Sequence, residues 1–117
     1  MKFNKSKAKH RLDKLFSNYI HNREHETCQM CGKKTGRMNT SHNISRSCLA
    51  LRWHDLNASL LCYRCHTHFW HSNPLIGAKW FIEKYGQDRM NYLIKESELP
   101  YTFTEVEYLR LLTKYKI

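Results

Sequence analysis

The stretch "LCYRCHTHFWH", residues 61–71, sets two cysteines and three histidines within eleven positions, and the number of metal ions these residues serve decides the fold. Cys62 and Cys65 form a C-x2-C pair. Its counterpart, Cys28 and Cys31 in "CQMC", lies upstream across thirty intervening residues. Thiolates at that spacing turn toward a common centre, and four of them satisfy Zn2+ in a closed tetrahedral site. The two knuckles therefore predict one structural zinc held by Cys28, Cys31, Cys62 and Cys65. Such a site uses none of the histidines. The fifth cysteine, Cys48, has no partner at ligand spacing and reads as a small packing residue.

Working outward, residues 27–72 hold all five cysteines and five of the eight histidines without any sustained hydrophobic period. That pattern marks a metal-organised segment, in which ligands do the work of a larger core. Before it, Leu12, Leu15, Phe16, Tyr19 and Ile20 recur at helical spacing and predict an amphipathic helix from Lys5 to about Asn22, with a lysine-rich outer face. After it, "SNPLIGAKWFIEKYG" reads as a helix with Ser72 or Asn73 as cap, Pro74 in the first turn and Gly86 as stop. A second helix is expected from about Gln87 to Lys95, burying Met90, Leu93 and Ile94. Pro100 ends that region, and Thr104 three residues before Glu107 predicts a capping box, with Phe103 and Tyr108 as a hydrophobic staple. The expected class is α+β, mainly α: a basic N-terminal helix (1–26), a zinc-knuckled ββα finger (27–72) and a helical cap (73–117), all in one domain.

The chain has 117 residues and a net charge of +10. Residues 1–52 carry 12 Lys/Arg against 3 Asp/Glu, whereas residues 53–117 carry 8 against 7. A basic half of this kind is the electrostatic footprint of nucleic-acid binding, with Lys5, Lys7, Lys9, Arg11, Arg46 and Arg52 as candidate phosphate contacts; a merely solubilising surface is the bland alternative. No apolar h-region follows the basic N-terminus and no run long enough to span a bilayer exists, so neither secretion nor membrane insertion is expected. A cytoplasmic setting, where clustered thiols bind metal more often than they form disulfides, is the consequence. Trp53, Phe69, Trp70, Trp80 and Phe81 read as core aromatics. His10, His21 and His25 read as exposed side chains, and His54 as a structural neighbour of Asp55.

His42 in "NTSHNISR", Asn57 fifteen residues later and His66 directly after the second knuckle stand in the order His, Asn, His. In that order the chain resembles the ββα-metal finger of HNH endonucleases. Along "SHNISRSCLALRWHDLNASLLCYRCHTHFWHSNPLIGAKWFIEKYG" it is most similar to the phage recombination endonuclease family NinG, also called Rap. The segments "KLFSNYI" and "YTFTEVEYLRLLTKYK" extend the resemblance over nearly the whole chain.

The resemblance implies a metal-dependent endodeoxyribonuclease acting on branched recombination intermediates such as Holliday junctions and D-loops, in the cytoplasm of a phage-infected host. It makes His42 the general base, Asn57 the residue that orients His42 or braces its loop, and His66 a ligand of a catalytic Mg2+ or Mn2+. Many HNH fingers place an Asp before the first His as a second metal ligand; here that residue is Ser41. The missing ligand then falls to Ser41, His68 or His71. On a helix of 3.6 residues per turn His68 points well away from His66, and His71 reads as a polar helix-end residue. Two-fold DNA would suit a homodimer. The alternatives are a general or packaging-associated HNH nicking enzyme on duplex DNA, and a catalytically inactive zinc-stapled DNA-binding module.

Overall fold

A computed structural model describes residues 2–116, with the side chains of Phe69 and Trp70 outside the description. It is a mainly helical α+β fold around a two-stranded sheet. Helix α1 spans Lys5–Arg23, capped by Asn4, whose side chain accepts from the Lys7 N–H. Ala8, Leu12, Phe16 and Ile20 form its buried stripe. Strands β1 (Met38–His42) and β2 (Ala58–Cys62) pair antiparallel, with Ser41 opposite Ser59 and His42 opposite Ala58.

The strands are not joined by a tight hairpin turn. Between them lie a short helix, α2 (Leu49–Arg52), and a single 3-10 turn at Asp55–Asn57. Three arginine-to-carbonyl contacts hold this excursion: Arg23 donates to the carbonyls of Asp55 (2.7 Å) and Ala58 (3.0 Å), and Arg89 to that of Leu56 (2.8 Å). His54 is structural here. Its Nδ1 accepts from the Leu56 N–H and its Nε2 meets the Tyr92 hydroxyl at 3.1 Å.

After β2 the chain enters a π-helix at Cys65–His71, where an α-helix was expected, then α3 (Pro74–Tyr85), α4 (Gln87–Ser97) and α5 (Glu105–Tyr115). Pro74 opens α3 as its sequence predicts, but the expected side-chain cap is absent: Asn73 spends its amide on the His68 carbonyl. Gly86, at φ 97°, stops α3 in a backbone region open to glycine and lets α4 begin at once. In α4 Leu93 is buried, whereas Ile94, expected inside, is exposed. The capping box of α5 is present, and Phe103 packs on Tyr108 at 5.4 Å between ring centroids.

Every residue of β2 is buried. Leu60 and Leu61 share one core with Leu12, Phe16 and Ile20 of α1, Trp53, and Tyr108 and Tyr115 of α5. Full burial of side chains such as Phe16 and Leu12 contributes about 2–3 kcal/mol each. A smaller cluster, Leu51, Phe81 and Leu93, joins α2 to α3 and α4. The sheet is thus fixed from several sides, and its ends deliver His42 and the second knuckle. Among the described residues no helix is long and apolar enough to cross a membrane.

Candidate active site and zinc centre

The first knuckle is a tight turn in which Cys28 N–H donates to the Lys33 carbonyl (2.8 Å) and Gly32 N–H to the Cys28 carbonyl (2.9 Å). Gly32 adopts φ 80°, which lets the chain reverse directly after Cys31. The turn is tied to β2 by Gln29 N–H donating to the Leu60 carbonyl, so Cys28 and Cys31 face Cys62 and Cys65. The four sulfurs lie within 4.8 Å of one another. Cys31 and Cys62 are 3.8 Å apart, which matches the edge of about 3.8 Å for a tetrahedron with Zn–S bonds near 2.3 Å.

The electrostatics agree with that geometry. Burial lifts the Cys28 thiol, but backbone N–H groups of Cys31, Cys62 and Met30 more than offset it and bring its pKa to about 7. Burial and the neighbouring sulfurs push Cys65 far up. Such a cluster accepts one negative charge readily and resists the rest unless a divalent cation compensates them. The residues present fit a structural zinc.

A polar cleft of about 580 Å³ opens beside the sheet, lined by Asp13, Ser41, His42, Asn43, Arg46, His66 and His71 among others. His42 lies at the end of β1, where its ring packs at 5.7 Å from Phe16. Its Nε2 is 2.8 Å from the Arg52 carbonyl and must donate to it. The lone pair therefore resides on Nδ1. Burial is the largest influence on this imidazole and lowers its pKa below 6.5, so the ring is neutral at pH 7.

The Asn57 side chain is spent on the backbone of the loop that follows His42. It is completely buried, accepts from the Ile44 N–H (2.8 Å) and donates to the carbonyls of Ile44 (2.9 Å) and Leu51 (3.1 Å). Of the two roles open to it in the sequence, the geometry is that of the loop brace. The imidazole tautomer is set by Arg52.

Arg52, expected as a phosphate clamp, is occupied otherwise. Its guanidinium grips Asp13 through Nε (3.0 Å) and Nη2 (2.6 Å) and stacks on Trp53 at 5.2 Å. The α1 carboxylate is the partner that Arg52 meets from the end of α2. Trp53 Nε1 donates to the same carboxylate at 2.9 Å. Arg46 makes one contact to Asp13 at 3.1 Å from a mostly exposed side chain, and so remains available at the cleft rim. Burial raises the Asp13 pKa, but the hydrogen bonds from Arg52 and Trp53 and the charges of Arg52 and Arg46 leave it below 3.8.

The basic helix divides. At 100° per residue, Lys9 and His10 lie one turn before Asp13 on its side of α1, whereas Lys7 and Arg11 lie on the outer face away from the Leu12 and Phe16 stripe. Lys5, at the helix start, is exposed.

His66 and His71 meet at the cleft with Nε2 atoms 2.8 Å apart. His71 is the exposed last residue of the π-helix, the helix-end position its sequence predicts, and the i to i+5 spacing of that helix brings it to the side of residue 66, as the Ser72 N–H donating to the Thr67 carbonyl also shows. His68 is exposed and does not line the cleft. Ser41 Oγ, Asn43 Oδ1 and Nδ2, and His66 Nδ1 are buried without a hydrogen-bond partner among the described residues. All three residues line this cleft. Buried polar atoms are ordinarily satisfied; four of the five such atoms among the described residues belong to this cleft, the fifth being the Tyr108 hydroxyl. Asp13 and Asn43 had no role in the sequence pattern, and the pairing of His71 with His66 was not expected because nothing in composition announces a π turn.

No curated protein and no solved structure matches the chain. The family model of the bacteriophage lambda NinG protein matches residues 2–117, and with nearly its whole length covered the chain belongs to the NinG family.

Proposed function

We propose that this protein is a metal-dependent endodeoxyribonuclease that hydrolyses DNA phosphodiesters, with branched recombination intermediates, Holliday junctions and D-loops among them, as substrates. The observation that carries the reading is the convergence, in one polar cleft, of a neutral His42 with its Nδ1 lone pair defined and the imidazole of His66, beside Arg46. Membership in a phage recombination-associated family supports the substrate class. The strand pair followed by a helical segment bearing His66 supports an HNH-type finger.

In this reading His42 takes a proton from water at Nδ1 while Nε2–H stays on the Arg52 carbonyl. The water oxygen attacks phosphorus, the bond to the leaving sugar oxygen breaks, that oxygen takes a proton from solvent water, and His42 returns its own proton to solvent to complete the cycle. Arg46 contacts a phosphate oxygen. A divalent ion at His66, Mg2+ or Mn2+, would stabilise charge on the phosphate and the leaving oxygen. Asn57 keeps the loop after His42 in register with β2, and Cys28, Cys31, Cys62 and Cys65 would hold a structural zinc that keeps Cys65, hence His66, in place. Lys9 and Arg46 extend the positive field along the DNA path. Paired cuts across a junction make a homodimer in the host cytoplasm the natural working form.

Ser41 at the position of the usual acidic ligand, and the saturation of Asp13 by its own donors, favour one competing reading, a zinc-stapled DNA-binding module without catalysis. Cleavage of matched linear duplex and four-way junction DNA with Mg2+ or Mn2+, beside His42→Ala, separates the readings. Junction-selective cutting lost in the variant supports the proposal. Equal cutting of both substrates favours a general HNH endonuclease, and tight binding with no cutting under either metal favours the module.

A further inference from the structure

We infer that His66 and His71 together form a two-imidazole site for a divalent transition ion, His71 supplying the ligand that position 41 lacks. The inference rests on the nuclease reading for its purpose, but not for its geometry. Two Nε2 atoms at 2.8 Å lie inside nonbonded contact, so a proton or a cation must stand between them. With metal–nitrogen bonds near 2.1 Å, adjacent ligands of one ion sit about 3.0 Å apart in an octahedron and about 3.4 Å in a tetrahedron. The observed separation needs only a small opening of the pair.

The rings meet edge to face at 77°, with centroids 4.4 Å apart, and both line the cleft that holds His42 and Arg46. The backbone is organised for this meeting. In an α-helix residue 71 would lie about 140° around the axis from residue 66; the wider turn of the π-helix cuts that offset to well under half. Its end is pinned by Ser72, whose N–H and Oγ both donate to the Thr67 carbonyl, and by Asn73 donating to the His68 carbonyl. An insertion of this kind costs helix geometry and persists where a site uses it.

The donor set determines the ion. The one carboxylate in the cleft lining, Asp13, has both oxygens engaged by Arg46, Arg52 and Trp53. Two imidazoles completed by water and substrate oxygens suit Mn2+, Co2+, Ni2+ or Zn2+ better than Mg2+, which prefers oxygen donors.

The test uses the full-length protein with zinc in its four-cysteine site and no DNA, titrated with Mn2+, an ion too weakly thiophilic to displace that zinc. Electron spin-echo modulation counts the nitrogens coupled to bound Mn2+. Two imidazole nitrogens are expected in the wild type, and one in His71→Ala, with Mn2+ affinity at least tenfold weaker. His68→Ala should match the wild type, and His71→Ala should keep its zinc and its melting temperature. One nitrogen in the wild type, or unchanged affinity in His71→Ala, overturns the inference even if DNA is cut. Conversely, two-nitrogen binding with no cleavage under any metal leaves this site standing and removes the nuclease reading.

Discussion

Asp13 is the junction on which α1, α2 and the cleft depend, and its removal has a calculable cost. In Asp13→Ala the Arg52 guanidinium, 19% exposed, loses a two-point charge-assisted contact, worth about 1.5–2 kcal/mol after solvent screening. The Trp53 indole N–H, on a side chain only 2% exposed, loses its acceptor at about 1–2 kcal/mol. The exposed Arg46 contact adds little. The sum is about 3 kcal/mol, or about 12 °C in melting temperature for a chain of this size. Asp13→Asn keeps an acceptor oxygen and should cost about 1 kcal/mol. On a Trp53→Phe background the Asp13→Ala penalty should shrink by about 1 kcal/mol, because no indole N–H remains to be orphaned. Acid should expose the same group. Its pKa is lowered in the folded state, so its stabilisation is complete above 3.8, fades as pH falls through the folded value, and is absent from the Asn variant. Differential scanning calorimetry at pH 7 and pH 3 measures all of this. Alanine and asparagine variants that melt within 2 °C of the wild type would refute the argument. Because the Arg52 carbonyl also holds His42, cleavage by the alanine variant, assayed well below its melting point, should lose turnover more than DNA affinity.

Three other outcomes follow from the same geometry. Cys28→Ser and Cys65→Ser should lower zinc content and melt early, whereas Cys48→Ser, outside the sulfur cluster, should retain its zinc by elemental analysis; a normal melting curve in the first two would contradict the structural role. In salt titrations of DNA binding, Lys9→Ala should reduce the slope by about one unit and weaken affinity, while Lys7→Ala and Arg11→Ala, on the outer face, should change both less. Burial holds the His42 pKa below 6.5 in the folded state, so between that value and 6.5 the native state binds fewer protons than the unfolded chain; cleavage should persist below pH 6.5, and a rising limb centred above 6.5 would exclude His42 as the base.

The helices were legible because their signals are local. Pro74, Gly86 and the Thr104/Glu107 pair act within one turn of themselves, and the Leu12, Phe16, Ile20 stripe repeats at the helical period. The cluster of four cysteines was legible for a related reason, since a C-x2-C knuckle encodes its own turn and two knuckles have one common way to saturate a metal. Partners across elements were not. Asp13 is the only acid in α1, yet nothing in its neighbourhood names Arg52 or Trp53, which reach it only once α2 has folded across the helix. The meeting of His71 with His66 was not legible for a different reason. A helical period of 3.6 was assumed through residues 65–71, and there the backbone spacing, not the side-chain pattern, departs from the rule.

The second knuckle and the histidine pair share one short segment, and this is why the chain can build a precise cleft on a small core. A zinc held by Cys65 and the three other cysteines would fix Cys65, so the residue after it would inherit that rigidity without needing packing of its own. His66 therefore begins beside the four-cysteine cluster, and the π turn returns His71 to it before α3 starts. On the other side, His42 is fixed by the sheet register and by a carbonyl whose residue is clamped on Asp13. The two halves of the cleft thus rest on independent supports, one inorganic and one electrostatic. Stripping zinc should free His66 and His71 while leaving His42 neutral and held, whereas removing Asp13 should loosen His42 and leave the histidine pair intact. That separation is what a site built from two supports must show, and a site resting on a single shared core would lose both together.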